Sequence, residues 1–113
     1  MHELSITSDI LDAVLSELSS EDYNRITRVN ITIGDLSGIV SENVRYYFKL
    51  LSRDTPASDA CLTFNYKKSK FRCNSCGKIY ERYNFSISCP ACNSRGTLVE
   101  SYTSIYINSI EVE

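Results

Sequence analysis

The 113-residue chain has very few residues of the kinds on which enzymes and membrane proteins depend. It contains one histidine, no tryptophan, two prolines and four glycines. The histidine, His2, stands at the extreme end of the chain, with no neighbouring residue that would make it a general base for a nucleophile. We therefore do not expect an enzyme. No run of about 18 or more apolar residues occurs, so we expect no membrane-spanning helix.

The composition predicts a folded protein that is not secreted. Hydrophobic residues make up 42% of the chain and charged residues 23%, a balance typical of globular rather than disordered proteins. The N-terminus lacks a basic segment followed by an apolar core, so no signal peptide is predicted. Five cysteines, four of them at metal-binding spacing, suit a reducing compartment better than a disulfide framework. These features predict a cytoplasmic protein.

Four of the five cysteines form two Cys-x-x-Cys pairs separated by twelve residues: Cys73 and Cys76, then Cys89 and Cys92. Two such loops can bring four thiolates to one point, which is the arrangement that a tetrahedral zinc ion prefers. Gly77 and Asn93 follow the two pairs, and both residue types tolerate a positive φ that turns backbone N–H groups toward the sulfurs. The spacing therefore predicts a zinc site with these four cysteines as ligands.

The charge is unevenly distributed along the chain, although the net charge is only −2. Residues 66–95 hold seven basic residues against Glu81 alone, and the remainder holds five basic and thirteen acidic residues. A basic middle segment predicts attraction for an anionic partner, nucleic acid included. Zinc with four thiolates carries a net −2, however, and nearby Lys and Arg side chains would offset that charge. We favour this second explanation and do not expect nucleic acid as a partner.

Apolar periodicity predicts two amphipathic helices and three strands. The first helix covers residues 4–19, and the second begins at Ser41, which is expected to be its N-cap. The apolar stripes consist of Leu4, Ile10, Leu11, Val14 and Leu18 in the first helix and Val44, Tyr47, Phe48 and Leu51 in the second. Alternating patterns predict strands at 28–33, 61–66 and 105–112, the last with an irregularity near Asn108 and Ser109.

The order of these elements predicts an α+β fold. The last strand has an apolar face that a small zinc knuckle cannot cover, so the strand must return to the first sheet. We expect two helices packed on a three-stranded sheet, with an inserted four-cysteine zinc module of short hairpins. The predicted division is an α+β domain of residues 1–66 plus 101–113 and a zinc-binding domain of residues 67–100.

The first residues, Met1-His2-Glu3, have a specific metal chemistry. The Met1 amine, the intervening amide nitrogen and the His2 imidazole can close two adjoining chelate rings on one ion. Nitrogen donors in a plane suit Ni(II) or Cu(II) better than zinc. Taken alone, a loose chain end that binds nothing is the more common outcome.

Combined with the cysteine pairs, this start resembles that of a known family. Met1-His2-Glu3 opening a helix, the segment Ile33-Gly34-Asp35-Leu36, the two Cys-x-x-Cys pairs and the last strand, ending Ser109-Ile110-Glu111-Val112-Glu113, occur in this order. They resemble the HypA/HybF family of nickel metallochaperones for hydrogenase maturation, over essentially the whole chain.

The resemblance implies a nickel site formed by Met1, His2 and Glu3, and a separate structural zinc site at the four cysteines. Nickel would be transiently bound cargo, delivered for assembly of the [NiFe] hydrogenase centre. The implied partners are a nickel-supplying maturation GTPase and the hydrogenase large subunit. The oligomeric state stays open, a homodimer included.

Two other functions stay open at this point. A zinc-ribbon module that binds nucleic acid or protein would use the basic middle segment, but it leaves Met1-His2-Glu3 unexplained. A rubredoxin-like electron carrier would hold iron in the same cysteine loops. Cys61 lies outside the two pairs, and we interpret it as a plain thiol on a sheet face rather than a fifth ligand or a redox switch.

Overall fold

The computed structural model describes residues 3–82 and 86–113. The elements occur in the order α1 (Glu3–Glu17), β1 (Ile26–Gly34), α2 (Ser41–Leu51), β2 (Cys61–Lys67), β3 (Lys70–Cys73), β4 (Ile79–Glu81), β5 (Gly96–Glu100) and β6 (Ile105–Val112). The strands form two separate three-stranded sheets, in the orders β2-β1-β6 and β4-β3-β5. The architecture is the α+β fold that the sequence predicted, with the four-cysteine module inserted before the last strand.

The first sheet is built around β1, its central and most buried strand. β1 runs parallel to β2, with Val29 opposite Leu62, and antiparallel to β6. The parallel pairing needs a crossover connection, which α2 provides. The pairing of β1 with β6 shifts register between Asn30 and Ile31, so Asn108 is an extra residue on β6. This bulge confirms the predicted irregularity.

The two helices bury their apolar faces with the apolar face of this sheet. The core is formed by Ile10, Leu11, Val14, Ile26, Val29, Ile31, Ile33, Ile39, Val44, Phe48, Ala57 and Leu62. One part of the predicted stripe of α1 is wrong, because Leu4 is 51% exposed whereas Thr7 is fully buried. Thr7 tolerates burial because its hydroxyl donates to the Glu3 carbonyl at 2.6 Å. Leu51, predicted on the inner face of α2, is 37% exposed.

The predicted N-cap of α2 is also wrong. The capping position is Val40, which has extended backbone angles and makes no side-chain cap, and Ser41 is the first helical residue. The start of α2 is instead contacted by Glu3 of the other helix: the Val40 N–H donates to Glu3 Oε2 at 2.6 Å, and Asn43 Nδ2 donates to Glu3 Oε1 at 3.0 Å. A carboxylate at this place is also favoured by the helix dipole. The start of α1 is thereby fastened to the start of α2.

The second sheet belongs to the four-cysteine module, which we define as residues 70–100. β3 pairs antiparallel with both β4 and β5. Its small core consists of Phe71, Tyr80 and the two buried cysteines, Cys73 and Cys89. The Phe71 and Tyr80 rings stack with centroids 5.8 Å apart, and the Tyr80 hydroxyl donates to the Ile87 carbonyl. This core is too small to hold the module without a further cross-link.

A turn after β1 contacts both chain segments that lead into and out of this module. The Asp35 N–H donates to the Lys67 carbonyl at 3.0 Å, and the Leu36 N–H donates to the Tyr102 carbonyl at 3.0 Å. Asp35 also binds Ser69: its Oδ1 accepts the Ser69 hydroxyl at 2.6 Å and its Oδ2 accepts the Ser69 N–H at 3.0 Å. Gly34 has no room for a side chain, because a Cβ there would collide with the Tyr102 carbonyl.

Candidate metal centre

The structure brings the four paired cysteines to one point, although they belong to different turns. Cys73 ends β3 and Cys76 follows in the turn to β4, whereas Cys89 and Cys92 belong to a second turn before β5. Their four sulfurs all lie within 4.8 Å of one another. The sulfurs of Cys73 and Cys92 are 3.3 Å apart, and those of Cys76 and Cys89 are 3.7 Å apart.

The two turns have the backbone geometry that their sequences predicted. Gly77 has φ of 76° and Asn93 has φ of 64°. In each turn the chain folds back onto its first cysteine, because the Gly77 N–H donates to the Cys73 carbonyl and the Asn93 N–H to the Cys89 carbonyl. The positive φ confirms the interpretation of both residues.

Backbone N–H groups point at the sulfurs and favour their ionised form. The Cys76 N–H lies 3.3 Å from the Cys73 sulfur, and the Ala91 N–H lies 3.4 Å from the Cys89 sulfur. The hydrogen bond from the Cys76 N–H is the main reason that the pKa of Cys73 is lowered. Burial works against ionisation of Cys89, but the hydrogen bonds from the Cys92 and Ala91 N–H groups outweigh it, and its pKa is lowered.

One of the four thiols differs from the others. The hydrogen bond from the Lys78 N–H lowers the pKa of Cys76. It is outweighed by the hydrogen bond between the Cys76 and Cys73 sulfurs, by burial and by the other two cysteines, which raise the pKa of Cys76 to about 11. The pKa of Cys92 is lowered, chiefly by its hydrogen bond with the Ser94 side chain. Negative sulfurs so close together repel one another, so the Cys76 thiol is the hardest of the four to ionise without a cation. The cluster is thus built to be neutralised by a cation.

The donor set and spacing fit a zinc ion. With Zn–S bonds of about 2.3 Å, the sulfurs of a regular tetrahedron lie about 3.8 Å apart. The observed separations, from 3.3 Å to below 4.8 Å, bracket that value. All four positions are protein ligands, which is typical of structural rather than catalytic sites. A bound zinc ion would cross-link the two turns and so complete the small core around Phe71 and Tyr80.

The N-terminal residues are only partly described. Met1 and His2, two of the three predicted nickel ligands, lie outside the described residues. Glu3 is described, and its carboxylate oxygens accept the hydrogen bonds from Val40 and Asn43 at the start of α2. These hydrogen bonds, that from Val40 first, lower the pKa of Glu3. The carboxylate therefore holds the start of α1 beside the start of α2.

Cys61 takes no part in the four-cysteine cluster. It is the first residue of β2 and is exposed, and its sulfur accepts a long hydrogen bond of 3.6 Å from Arg28 Nη1. This placement agrees with a plain thiol on the sheet face.

Comparison with known proteins identifies the family. The model of the family described as "Hydrogenase/urease nickel incorporation, metallochaperone, hypA" matches residues 1–112. The chain belongs to the HypA family. This confirms the resemblance found in the sequence, and the match includes both the Met1-His2-Glu3 start and the four cysteines.

Individual HypA proteins are similar over the full length of the chain. The hydrogenase maturation factor HypA of Caldanaerobacter subterraneus is 40% identical over 114 residues, covering 100% of both chains. That of Dehalococcoides mccartyi is 34% identical over 113 residues, covering 100% of this chain and 95% of the relative.

Solved structures share the fold. The solution structure of the Ni metallochaperone HypA from Helicobacter pylori aligns with a TM-score of 0.64 at 20% identity, covering 99% of this chain and 97% of that one. Another HypA solution structure aligns with a TM-score of 0.66 over 100% of this chain.

No helix within residues 3–82 and 86–113 has the length and apolar character needed to span a membrane.

Proposed function

We propose that this HypA protein binds Ni(II) at Met1, His2 and Glu3 and delivers it for assembly of the [NiFe] hydrogenase centre. The observation that carries the proposal is the family match over residues 1–112, which takes in the chelating start of the chain as well as the four-cysteine cluster. The relatives that match over the whole chain are named as hydrogenase maturation factors. By this proposal nickel is cargo and the protein is not an enzyme.

The N-terminal site suits a carrier that must both hold and release its ion. The Met1 amine, the amide nitrogen and the His2 imidazole offer nitrogen donors in a plane, a geometry that favours Ni(II). Glu3, the third proposed ligand, accepts hydrogen bonds from Val40 and Asn43 at the start of α2. Little ordered structure has to be dismantled when nickel leaves, because the donors stand at a chain end.

We propose that the four cysteines hold a structural zinc ion and no nickel. In their closed arrangement no coordination position is left for cargo. We also propose that residues 1–66 with 101–113 form a nickel-binding domain and that residues 67–100 form a zinc-binding domain. The separate sheets and separate apolar cores of the two parts support this division.

The proposed partners follow from the family. They are a nickel-supplying maturation GTPase and the hydrogenase large subunit, in the cytoplasm, with no membrane involved. Metal analysis tests the alternative of a rubredoxin-like electron carrier. We expect the purified protein to contain zinc and be colourless, whereas iron in the cysteine cluster would make it red.

The test of the nickel site is calorimetric titration of zinc-loaded protein that begins with an authentic Met1. We expect micromolar or tighter nickel binding that is lost in His2→Ala. Cys61→Ser is the matched control, because it alters a metal-binding residue type outside both sites and should bind nickel like the wild type. A protein with one extra residue before Met1, which removes the free amine from the site, should bind more weakly. Equal binding by wild type and His2→Ala would place nickel elsewhere and refute the proposal.

Nickel binding should also depend on pH. The imidazole, with an ordinary pKa near 6.5, and the amine must lose protons before they coordinate. We therefore expect affinity to fall steeply below neutral pH in the same titration. Unchanged affinity from neutral pH down to pH 5 would contradict a nitrogen-donor site.

A further inference from the structure

A cleft of about 490 Å³ lies where the first sheet meets the four-cysteine module. Its floor is the side of the sheet that the helices do not cover, with Thr32, Asn65 and Asn108. Its walls carry three lysines, Lys67, Lys68 and Lys70, and three tyrosines, Tyr66, Tyr102 and Tyr106. We call this region the lysine cleft. None of the four clustered cysteines lines it.

Lys67 stands opposite Gly34 in the sheet, whereas Lys70 stands opposite two carboxylates, Glu81 in β4 and Glu100 in β5. The ion pairs found in the described residues involve Arg25, Arg28 and Arg45, and none of the three cleft lysines takes part in one. The only carboxylate in the lining is Glu81, which stands opposite Lys70 across the β3–β4 pairing. The lining thus has three positive charges against one negative charge.

The zinc site does not account for these lysines. The basic residues next to the cysteine turns are Lys78 and Arg95, whose carbonyls accept the Cys73 and Asn74 N–H groups. Whether their charged groups offset the negative sulfurs stays a prediction. The cleft lysines belong instead to the end of β2, the connection that follows it and the start of β3, outside the two cysteine turns.

The backbone beside Lys68 and Lys70, and the side chain of Lys67, are held in place. Ser69, fully buried between Lys68 and Lys70, binds the Asp35 carboxylate and fixes the backbone on which both stand. Lys67 places its Nζ 4.5 Å from the centre of the Tyr102 ring. A charged group that is ordered before binding loses less conformational entropy when a partner arrives.

We propose that the lysine cleft binds an acidic, extended segment of a partner protein. Lysines that form none of the ion pairs found in the described residues suit carboxylates, and the Asn65 amide on the cleft floor can bond to a peptide backbone. Nucleic acid fits less well. One face of the Tyr102 ring is covered by Lys67 and is closed to base stacking, and a long polyanion would meet the thirteen acidic residues outside residues 66–95. A short acidic segment meets the cleft alone.

The experiment is fluorescence anisotropy with zinc-loaded, nickel-free protein, so that it does not depend on the nickel proposal. The probe is a labelled eight-residue peptide of alternating Glu and Gly. The variant is Lys68→Gln/Lys70→Gln, and the matched control is Lys49→Gln/Arg53→Gln, an equal loss of charge at and just beyond the end of α2. We expect the cleft variant to bind roughly tenfold or more weakly and the control to bind like the wild type. Raised salt should weaken wild-type binding.

Three results would overturn the proposal. The first is no saturable binding of the peptide by the wild type, and the second is an equal loss in the control pair. The third is tighter binding of an oligothymidylate with the same net charge, lost in the cleft variant, since the partner would then be nucleic acid. Lys68→Arg/Lys70→Arg should restore peptide binding, and unchanged zinc content and circular dichroism show that each variant is folded.

Discussion

Ser69→Ala tests whether one buried hydroxyl holds the two parts of the molecule together. Ser69 is fully buried, its hydroxyl donates to Asp35 Oδ1 at 2.6 Å, and its oxygen accepts the Tyr102 N–H at 3.0 Å. It therefore joins the turn after β1, the connection into the four-cysteine module and the connection out of it. The substitution removes one oxygen atom and adds no bulk.

The expected loss can be estimated from the groups left without partners. The Tyr102 N–H loses its acceptor and the Asp35 Oδ1 loses a donor, and each such group costs about 1–3 kcal/mol when buried. Asp35 is half-buried and keeps the Ser69 N–H, so water replaces part of its loss. We therefore expect a decrease of about 2 kcal/mol in the free energy of unfolding, mostly from Tyr102.

Two measurements check this value in zinc-loaded protein. With a denaturant slope of about 2 kcal/mol per molar urea, the unfolding midpoint should fall by about 1 M. Hydrogen exchange at the Tyr102 amide should accelerate roughly 30-fold. Ser101→Ala is the matched control, because Ser101 is exposed in the same connection and its loss should change neither quantity.

A double-mutant cycle separates the contact from general damage. Asp35→Ala removes the acceptors for both Ser69 groups, so it should destabilise at least as much as Ser69→Ala. The two effects should add to more than the effect of the double variant, because both remove one shared contact. Additive effects, or wild-type protection of the Tyr102 amide in Ser69→Ala, would refute the reasoning.

Three further predictions concern the four-cysteine module and its outgoing connection. Cys76→Ala should unfold the module, so that its amide NMR signals lose their dispersion while those of α1 and β1 stay in place, because the two apolar cores are separate. Loss of dispersion for the α1 signals as well would show that the two parts unfold as one cooperative unit. Gly77→Ala should destabilise the module by about 1–2 kcal/mol in thermal unfolding. The cost comes from the backbone φ of 76° and not from a clash, because no atom lies within 4 Å of the added methyl group. Asn93→Gly should be nearly neutral, because glycine adopts the same positive φ. The pKa of Tyr102 is raised above its usual value of 10, chiefly because its hydroxyl donates to Glu100. This hydrogen bond therefore contributes stability below pH 10 that is lost as pH rises through the raised pKa. Glu100→Ala should lower the pKa of Tyr102 in a tyrosine NMR titration.

The metal-binding turns were predictable because their structure is determined locally. Two cysteines three positions apart can reach one ion without help from distant residues, and Gly77 and Asn93 supply the positive φ that the turns need. The strands of the first sheet were predictable for a similar reason, since alternation alone shows which side is buried. Even the bulge at Asn108 follows from the break in the apolar pattern between Ile107 and Ile110.

Contacts between segments far apart in the sequence were not predictable in this way. Capping rules assign the acceptor for a helix start to the preceding residue, and they pointed to Ser41. In the structure the side chain that contacts this helix start is Glu3, forty residues earlier than Asn43, and no local pattern shows that contact. Likewise nothing in a lone Ser69 between two lysines shows that it is buried against Asp35. Such groups become visible only when the fold brings them together.

The segment that connects β1 to α2 links the two proposed metal sites through a short path. At its start, Asp35 binds Ser69 beside the four-cysteine module; at its end, the Val40 N–H binds Glu3 beside the proposed nickel site. Between them Ser37 and Ile39 are buried, and the Ser37 hydroxyl accepts the Ile39 N–H at 3.1 Å, so this stretch packs against the core. A shift of the module against the sheet would strain one end of this path. The carboxylate of Glu3 and the module are therefore joined by one stretch of chain that is partly buried in the core.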